Sequence, residues 1–168
     1  MESRVIVCPV CGGLNRVPLA RLGLGEKPDC GKCHAPLFTG RPVEVRDAEA
    51  FDRLVGRTEI PVVVDFWAAW CGPCRAMAPQ FEAAAADLEP GVRFAKLDTE
   101  AAQDVASRFA IRGIPTMILF QNGREIARQG PHHAAQKSTT TGISVRPTRR
   151  SNAPASRKST GCPVKSGA

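Results

Sequence analysis

Six of the seven cysteines in this chain of 168 residues fall into three C-x2-C pairs, and their spacing separates two kinds of chemistry. Cys8-Pro9-Val10-Cys11 is followed, after 18 residues, by Cys30-Gly31-Lys32-Cys33. Two such knuckles suit a divalent metal, because Zn²⁺ takes four thiolates at the corners of a tetrahedron with bonds of about 2.3 Å. Each knuckle supplies two sulfurs from one tight turn, and Gly12, Gly13 and Gly31 let the backbone bend around the ion. The set leaves no coordination position open, so the expected role is structural rather than catalytic. A segment of about 40 residues is too small to hold a core alone, and metal binding would supply its folding free energy. The alternatives are two redox-active pairs, or free cysteines in a loop. His34, beside the second knuckle, is expected to be a bystander.

The third pair, Cys71-Gly72-Pro73-Cys74, lies between an apolar run and a helical pattern, the setting of a dithiol redox site. Cys71 is expected at a helix N-terminus, where unpaired amides and the helix dipole favour the thiolate. Only the thiolate attacks a disulfide, which makes Cys71 the expected nucleophile and Cys74 the resolving thiol. Gly72-Pro73 holds the two sulfurs close and is expected to leave the nucleophile exposed. Half a zinc site or a structural disulfide are the alternatives, but no further cysteine pair is left to complete a metal site.

The elements that must position these groups follow from hydrophobic periodicity. Residues 43–45 predict a short strand, and Asp47 predicts the cap of a helix with Phe51, Leu54 and Val55 on one face. The near-continuous apolar run 60–66 predicts a strand covered on both faces. A helix is expected over 74–88, with Met77, Phe81, Ala84 and Leu88 as its stripe, then a strand over 92–97. Asp98 or Thr99 is expected to cap a helix carrying Ala102, Val105 and Phe109. Strands 116–120 and 124–127 flank Asn122-Gly123, a strong hairpin signal. The order βαβαβαββ predicts an α/β fold, a mixed central sheet with helices on both faces closed by one antiparallel hairpin. The expected organisation is a zinc ribbon over 1–40, with 35–42 as a short linker, a domain over 43–130 and a tail over 131–168.

Charge follows the same division. The formal net charge of +7 comes entirely from residues 131–168, which carry seven Lys and Arg and no acid, while 1–130 is balanced. The tail is rich in Ser, Thr and Pro, lacks apolar periodicity, and reads as disordered. Its basicity is thus a property of the tail, and nucleic acid is not expected as a partner. No apolar run approaches the length of a membrane helix, and the start lacks a secretory signal pattern, so the expected location is cytoplasmic with reduced thiols.

Trp70-Cys71-Gly72-Pro73-Cys74, preceded by Val64-Asp65-Phe66-Trp67 and followed by Gly113-Ile114-Pro115-Thr116, resembles thioredoxin, and the four-cysteine N-terminus resembles the bacterial zinc-containing thioredoxin 2 type. The resemblance covers residues 1 to about 130. It implies a thioredoxin fold, with Asp65 as a buried carboxylate that accepts the proton of Cys74, and Lys96 as the lysine approaching it. On the residues alone, Asp65 also reads as a cap or edge residue and Lys96 as a solvated surface lysine. Pro115 matches the family's cis-proline, with Trp70, Gly72, Pro73 and Ile114 forming the substrate contact surface. Trp67 is expected to pack, and Pro79 to kink the active-site helix. The implied activity is reduction of protein disulfides, with an NADPH-dependent thioredoxin reductase as the recharging partner. One structural zinc and no organic cofactor are implied. Thiol peroxidases, methionine sulfoxide reductases and ribonucleotide reductase are the implied client classes.

The pattern breaks after Gly130, where Pro131-His132-His133 leads into the tail instead of the family's final amphipathic helix. Losing three or four buried aliphatic side chains would remove about 5–10 kcal/mol, comparable with a domain's whole stability. The abrupt change of composition suggests an out-of-frame C-terminus, in which His132, His133 and Cys162 have no role. Competing functions are a zinc-based redox-responsive holdase, a C-terminally altered thioredoxin with impaired stability, and a basic-tail nucleic-acid binder.

Overall fold

The computed structural model describes residues 2–131, which belong to one compact unit. The readings of a disordered tail, a missing final helix and idle His132, His133 and Cys162 lie outside the described residues.

The N-terminal segment is a hairpin of β1 (Ser3–Val7) and β2 (Leu14–Pro18), followed by one helical turn, α1 (Leu19–Gly23). The last pair of the hairpin is Val7 with Leu14, so the first knuckle is its turn. An isolated bridge between Asp29 and Pro36 frames the second knuckle.

The remaining chain runs β3 (Val43–Val45), α2 (Ala48–Arg57), β4 (Val62–Trp67), α3 (Gly72–Leu88), β5 (Arg93–Asp98), α4 (Gln103–Arg108), β6 (Thr116–Gln121) and β7 (Arg124–Gln129). This is the expected βαβαβαββ order. The strands lie in the order β3-β5-β4-β6-β7, the first three parallel, with β6 and β7 antiparallel to their neighbours. The central strand β4, Val-Val-Val-Asp-Phe-Trp, is β-branched and apolar because both its faces are covered. The Asp47 side chain accepts the Ala50 amide at 2.8 Å and starts α2 as expected. Asn122 (φ 50°) and Gly123 (φ 75°) turn β6 into β7 with positive φ at both central positions, the conformation that matches strand twist.

The helices cover opposite faces. Phe51, Leu54 and Val55 of α2 and Val105 of α4 pack on Val45, Val62, Val64, Phe66, Ile118 and Phe120. On the other face Phe81 and Ala85 of α3 meet Phe94, with Val63 and Met117 alongside. The stripe expected on α3 is corrected at its end: Leu88 is 53% exposed and Ala85 is buried. The chain that crosses this end of the helix, at Gly40, approaches Ala86 rather than Leu88. A second correction concerns α4, which has Ala102 at its N-cap position and no side-chain cap. Asp98 instead accepts the Glu100 amide at 2.9 Å, and the Thr99 hydroxyl donates to the Trp67 carbonyl at 3.2 Å, so both tie this loop to the end of β4.

Residues 35–42 are more than the linker expected of them. Leu37 and Phe38 are fully buried with Ile6, Val17, Cys8 and Cys30, and Ile60, just before β4, joins the same cluster. Two hydrogen bonds between Val5 and Glu59 extend the seam: the Glu59 amide donates to the Val5 carbonyl, and the Val5 amide to the Glu59 carboxylate. The ribbon therefore leans on the end of the sheet where β4 begins, while the third cysteine pair follows the end where β4 finishes.

Candidate active site and metal centre

Strand β4 delivers the chain through Trp67 to Cys71, which occupies the N-cap of α3 in extended conformation. Its Sγ accepts the Cys74 amide at 3.2 Å, and Pro73 sits in the first turn, where its missing N–H costs no helical bond. Cys71 and Cys74 are joined by a disulfide, with Cα atoms 5.3 Å apart. Cys71 is 3% exposed and Cys74 is 2% exposed. The expectation of an exposed nucleophile is thus corrected for the oxidised form, because the cap position turns the sulfur inward over the first helical amides. What faces solvent instead is the surrounding surface, with Trp70 at 65% and Gly72 and Pro73 exposed. The Trp70 indole is held by a hydrogen bond from Nε1 to the Glu100 carboxylate at 2.8 Å, a partner the sequence reading did not single out.

The Ile114–Pro115 peptide is cis, and both residues are half-buried. Thr116 pairs with Phe66 across β6 and β4, which puts Pro115 at the sheet end where β4 leads into the dithiol loop. The Thr116 hydroxyl donates to the Gly113 carbonyl at 2.6 Å and braces this turn.

Asp65 is 1% exposed, and neither carboxylate oxygen has a hydrogen-bond partner. Burial pushes its carboxyl up to about 6; Lys96 opposes the shift and Glu44 adds to it. The three residues form one row across the sheet, Glu44 paired with Lys96 and Lys96 with Asp65. The Lys96 ammonium lies 4.2 Å from the centroid of the Trp67 ring, a cation–π contact. Trp67 packs beneath it, and Pro79 lies inside α3.

The other four cysteines converge. Their sulfurs all lie within 4.8 Å of one another, with Cys8–Cys33 at 3.6 Å and Cys11–Cys30 at 3.7 Å. A tetrahedron with 2.3 Å metal–sulfur bonds has edges of about 3.8 Å, so these residues fit Zn²⁺. The two knuckles repeat one hydrogen-bond pattern. In each, the first cysteine donates to the carbonyl five residues on, Cys8 to Gly13 and Cys30 to Ala35, and its carbonyl accepts from the fourth residue, Gly12 or His34. That fourth position has positive φ in both, 67° at Gly12 and 59° at His34, which gives His34 a backbone role outside the ligand set. The Cys33 and Lys32 amides bring the Cys30 thiol down to about 6. The Ala35 amide favours the Cys33 thiolate, but the Cys11, Cys8 and Cys30 sulfurs and burial outweigh it and push Cys33 up to about 12. Four sulfurs this close resist ionising together, and a divalent cation among them removes the conflict.

The sequence reading also missed Glu89 and Arg93. They form a fully buried ion pair at 3.0 Å between the end of α3 and the start of β5. Both were visible in the sequence, but a Glu and an Arg flanking Pro90-Gly91 are ordinarily solvated turn residues.

Two neighbouring sulfurs that can share or break one bond exchange two electrons with another disulfide without a bound organic group. On this sheet, that couple defines a thiol–disulfide oxidoreductase. Residues 42–140 match the family described as Thioredoxin, and residues 7–35 the family described as Thioredoxin 2, N-terminal. Thioredoxin C-3 of Corynebacterium nephridii is 43% identical over 74% of this chain and 83% of its own. A bifunctional thioredoxin reductase/thioredoxin of Mycobacterium leprae is 43% identical over 53% of this chain, which is 19% of that longer protein. The solved thioredoxin of Trypanosoma brucei brucei superposes with a TM-score of 0.51 at 29% identity, over 54% of this chain and 78% of that one. The thioredoxin of Malassezia sympodialis does so with a TM-score of 0.50 at 33% identity, over 52% and 76%. The chain belongs to the thioredoxin family and carries the N-terminal zinc ribbon of the thioredoxin 2 type. Among the described residues no helix is long and apolar enough to cross a membrane.

Proposed function

We propose that this protein reduces disulfides in other proteins through Cys71 and Cys74. The Cys71 thiolate attacks one sulfur of a client disulfide; that S–S bond breaks, a Cys71–client bond forms, and the released client thiolate takes a proton from solvent. Cys74 then gives its proton to the Asp65 carboxylate and attacks the Cys71 sulfur. The mixed disulfide breaks, the second client thiolate leaves, and the Cys71–Cys74 bond holds the two electrons' worth of oxidation. The observation that carries this reading is the Cys71–Cys74 disulfide at the N-terminus of α3, with the Cys71 sulfur accepting the Cys74 amide. An amide in that position stabilises a thiolate on Cys71, which is the attacking form.

Trp70, Gly72, Pro73, Ile114 and Pro115 would contact the client, an extended segment pairing with the backbone of Ile114. Lys96 acts from its place beside Asp65 by favouring the carboxylate that receives the proton. The oxidised dithiol would be recharged by an NADPH-dependent thioredoxin reductase; the fusion of the two activities in the M. leprae relative supports that partner. Cys8, Cys11, Cys30 and Cys33 would hold one structural Zn²⁺, which supplies charge neutralisation and cross-links the ribbon over 1–40. The catalytic domain is read as 43–130, and the cytoplasm, where thiols stay reduced, as the working compartment.

The test is turnover of a protein disulfide in the presence of a reductant. Turnover by the wild-type protein well above that of Cys71→Ser supports the reading; equal rates reject it.

A further inference from the structure

The buried Arg93–Glu89 pair reaches beyond the two elements it joins. One Arg93 guanidinium nitrogen donates to Glu89 at 3.0 Å and another to the Leu37 carbonyl at 2.6 Å. The guanidinium carbon lies 4.4 Å from the centroid of the Phe38 ring. The second carboxylate oxygen of Glu89 accepts the Gly40 amide at 2.9 Å. Both side chains are 1% exposed. Two charged groups thus grip residues 37, 38 and 40, the stretch that joins the four-cysteine segment to β3.

Leu37 and Phe38 share one buried cluster with the ligand residues Cys8 and Cys30. On the other side, Glu89 is the C-cap of α3, the helix whose N-cap is Cys71, and Arg93 opens β5. An apolar pair could fill the same space as well or better for stability alone. What the ion pair adds is a single permitted seating, because Arg93 needs the Leu37 carbonyl and Glu89 needs the Gly40 amide, and neither has water as a substitute. If the stretch moved away, Arg93 would lose an acceptor and a ring, and Glu89 a donor.

We infer that Arg93 and Glu89 are positioning residues for the metal centre, a latch that seats the four-cysteine ribbon on the thioredoxin domain and couples metal retention to the end of the dithiol helix. The inference rests on the zinc reading above. Because coupling is reciprocal, a broken latch weakens metal binding, and metal loss loosens the latch.

The experiment uses the full zinc-loaded chain and a chromogenic chelator that reports zinc release. Glu89→Gln keeps the shape of the side chain and removes its charge, Phe38→Leu removes the ring under Arg93 while leaving the pair intact, and Glu82→Gln on the exposed side of α3 is the control. Release is expected to be about tenfold faster in Glu89→Gln, the scale of a site-to-site coupling, and faster also in Phe38→Leu, with the control unchanged. In the wild-type protein, stripping zinc is expected to accelerate hydrogen exchange of the Gly40 amide, a readout that survives if Glu89→Gln fails to fold. A pair that merely bound α3 to β5 would lower the unfolding temperature without changing release from folded protein. Unchanged release in the folded variants, or Gly40 exchange indifferent to zinc, overturns the latch alone; a wild-type protein that takes up no zinc overturns the metal reading together with it.

Discussion

Asp65 and Lys96 stand in register on neighbouring parallel strands, yet the lysine ammonium lies over the Trp67 ring and makes no ion pair with the carboxylate. Lys96 thus lowers the cost of a charged Asp65 through space without supplying the hydrogen bonds that its two oxygens lack. The carboxyl stays easy to protonate, which is what its proposed role as a proton acceptor requires.

The first prediction follows from that balance. The folded-state value of about 6 lies above the unfolded value of about 3.9, so the native state binds more protons between them. The stability tied to a protonated Asp65 is complete below about pH 3.9 and is lost as pH rises through about 6, leaving a cost of about 3 kcal/mol at neutrality. Asp65→Asn is therefore expected to unfold at higher urea than the wild type at pH 7.5, by up to about 3 kcal/mol less the cost of an unbonded buried amide. The advantage should disappear at pH 4. Equal stability differences at the two pH values would rule out the assignment.

With Asp65 in its proposed role, the same proton governs the resolving step. Below about pH 6 Asp65 is already protonated and cannot accept from Cys74. Resolution of a mixed disulfide at Cys71, followed by stopped flow, is expected to slow as pH falls through that value, and Asp65→Asn is expected to be slow and without that inflection.

Cys74→Ser should leave the attacking sulfur in place and remove the resolving one. It is expected to accumulate a Cys71–client adduct visible by mass spectrometry under non-reducing conditions, whereas Cys71→Ser should accumulate none. Adducts on Cys74 in the second variant would reverse the assigned roles.

Trp70 offers its indole face to solvent while Glu100 holds its nitrogen. Glu100→Ala releases a ring fixed by one charge-assisted bond, an effect of about 1–2 kcal/mol on the bound arrangement. The expected outcome is a several-fold rise in KM for protein clients with a smaller change in kcat, accompanied by altered tryptophan fluorescence. An unchanged KM would show that ring orientation does not matter to client binding.

Metal content provides a further check. One zinc per chain is expected, and Cys30→Ser should lower affinity by orders of magnitude while leaving Cys71 chemistry measurable. Elemental analysis after dialysis against a chelator distinguishes this from a metal-free ribbon.

How much was legible in advance depended on the range of the interaction. The C-x2-C spacings announced both sulfur sites, because two sulfurs separated by two residues are brought together by one turn of backbone. The strand-helix alternation announced the sheet, because periods of 2 and 3.6 are local. Asp65 was legible as an acid inside a run of valines. What was not legible is shown by two pairs with the same spacing and the same residue types. Glu49 with Arg53 and Glu89 with Arg93 are both i,i+4, but the side chains of the first are 81% and 43% exposed and both of the second are 1% exposed. Nothing in four residues of sequence states which pair another part of the chain will cover. The sequence by itself determined the two C-x2-C knuckles, the third cysteine pair and the order of elements, all of which follow from neighbours along the backbone. Only the tertiary structure decided that residues 37–40 lie over the end of α3, because burial depends on segments about 50 positions apart meeting in space, and that meeting covered Glu89 and Arg93 with the stretch that follows the four-cysteine segment.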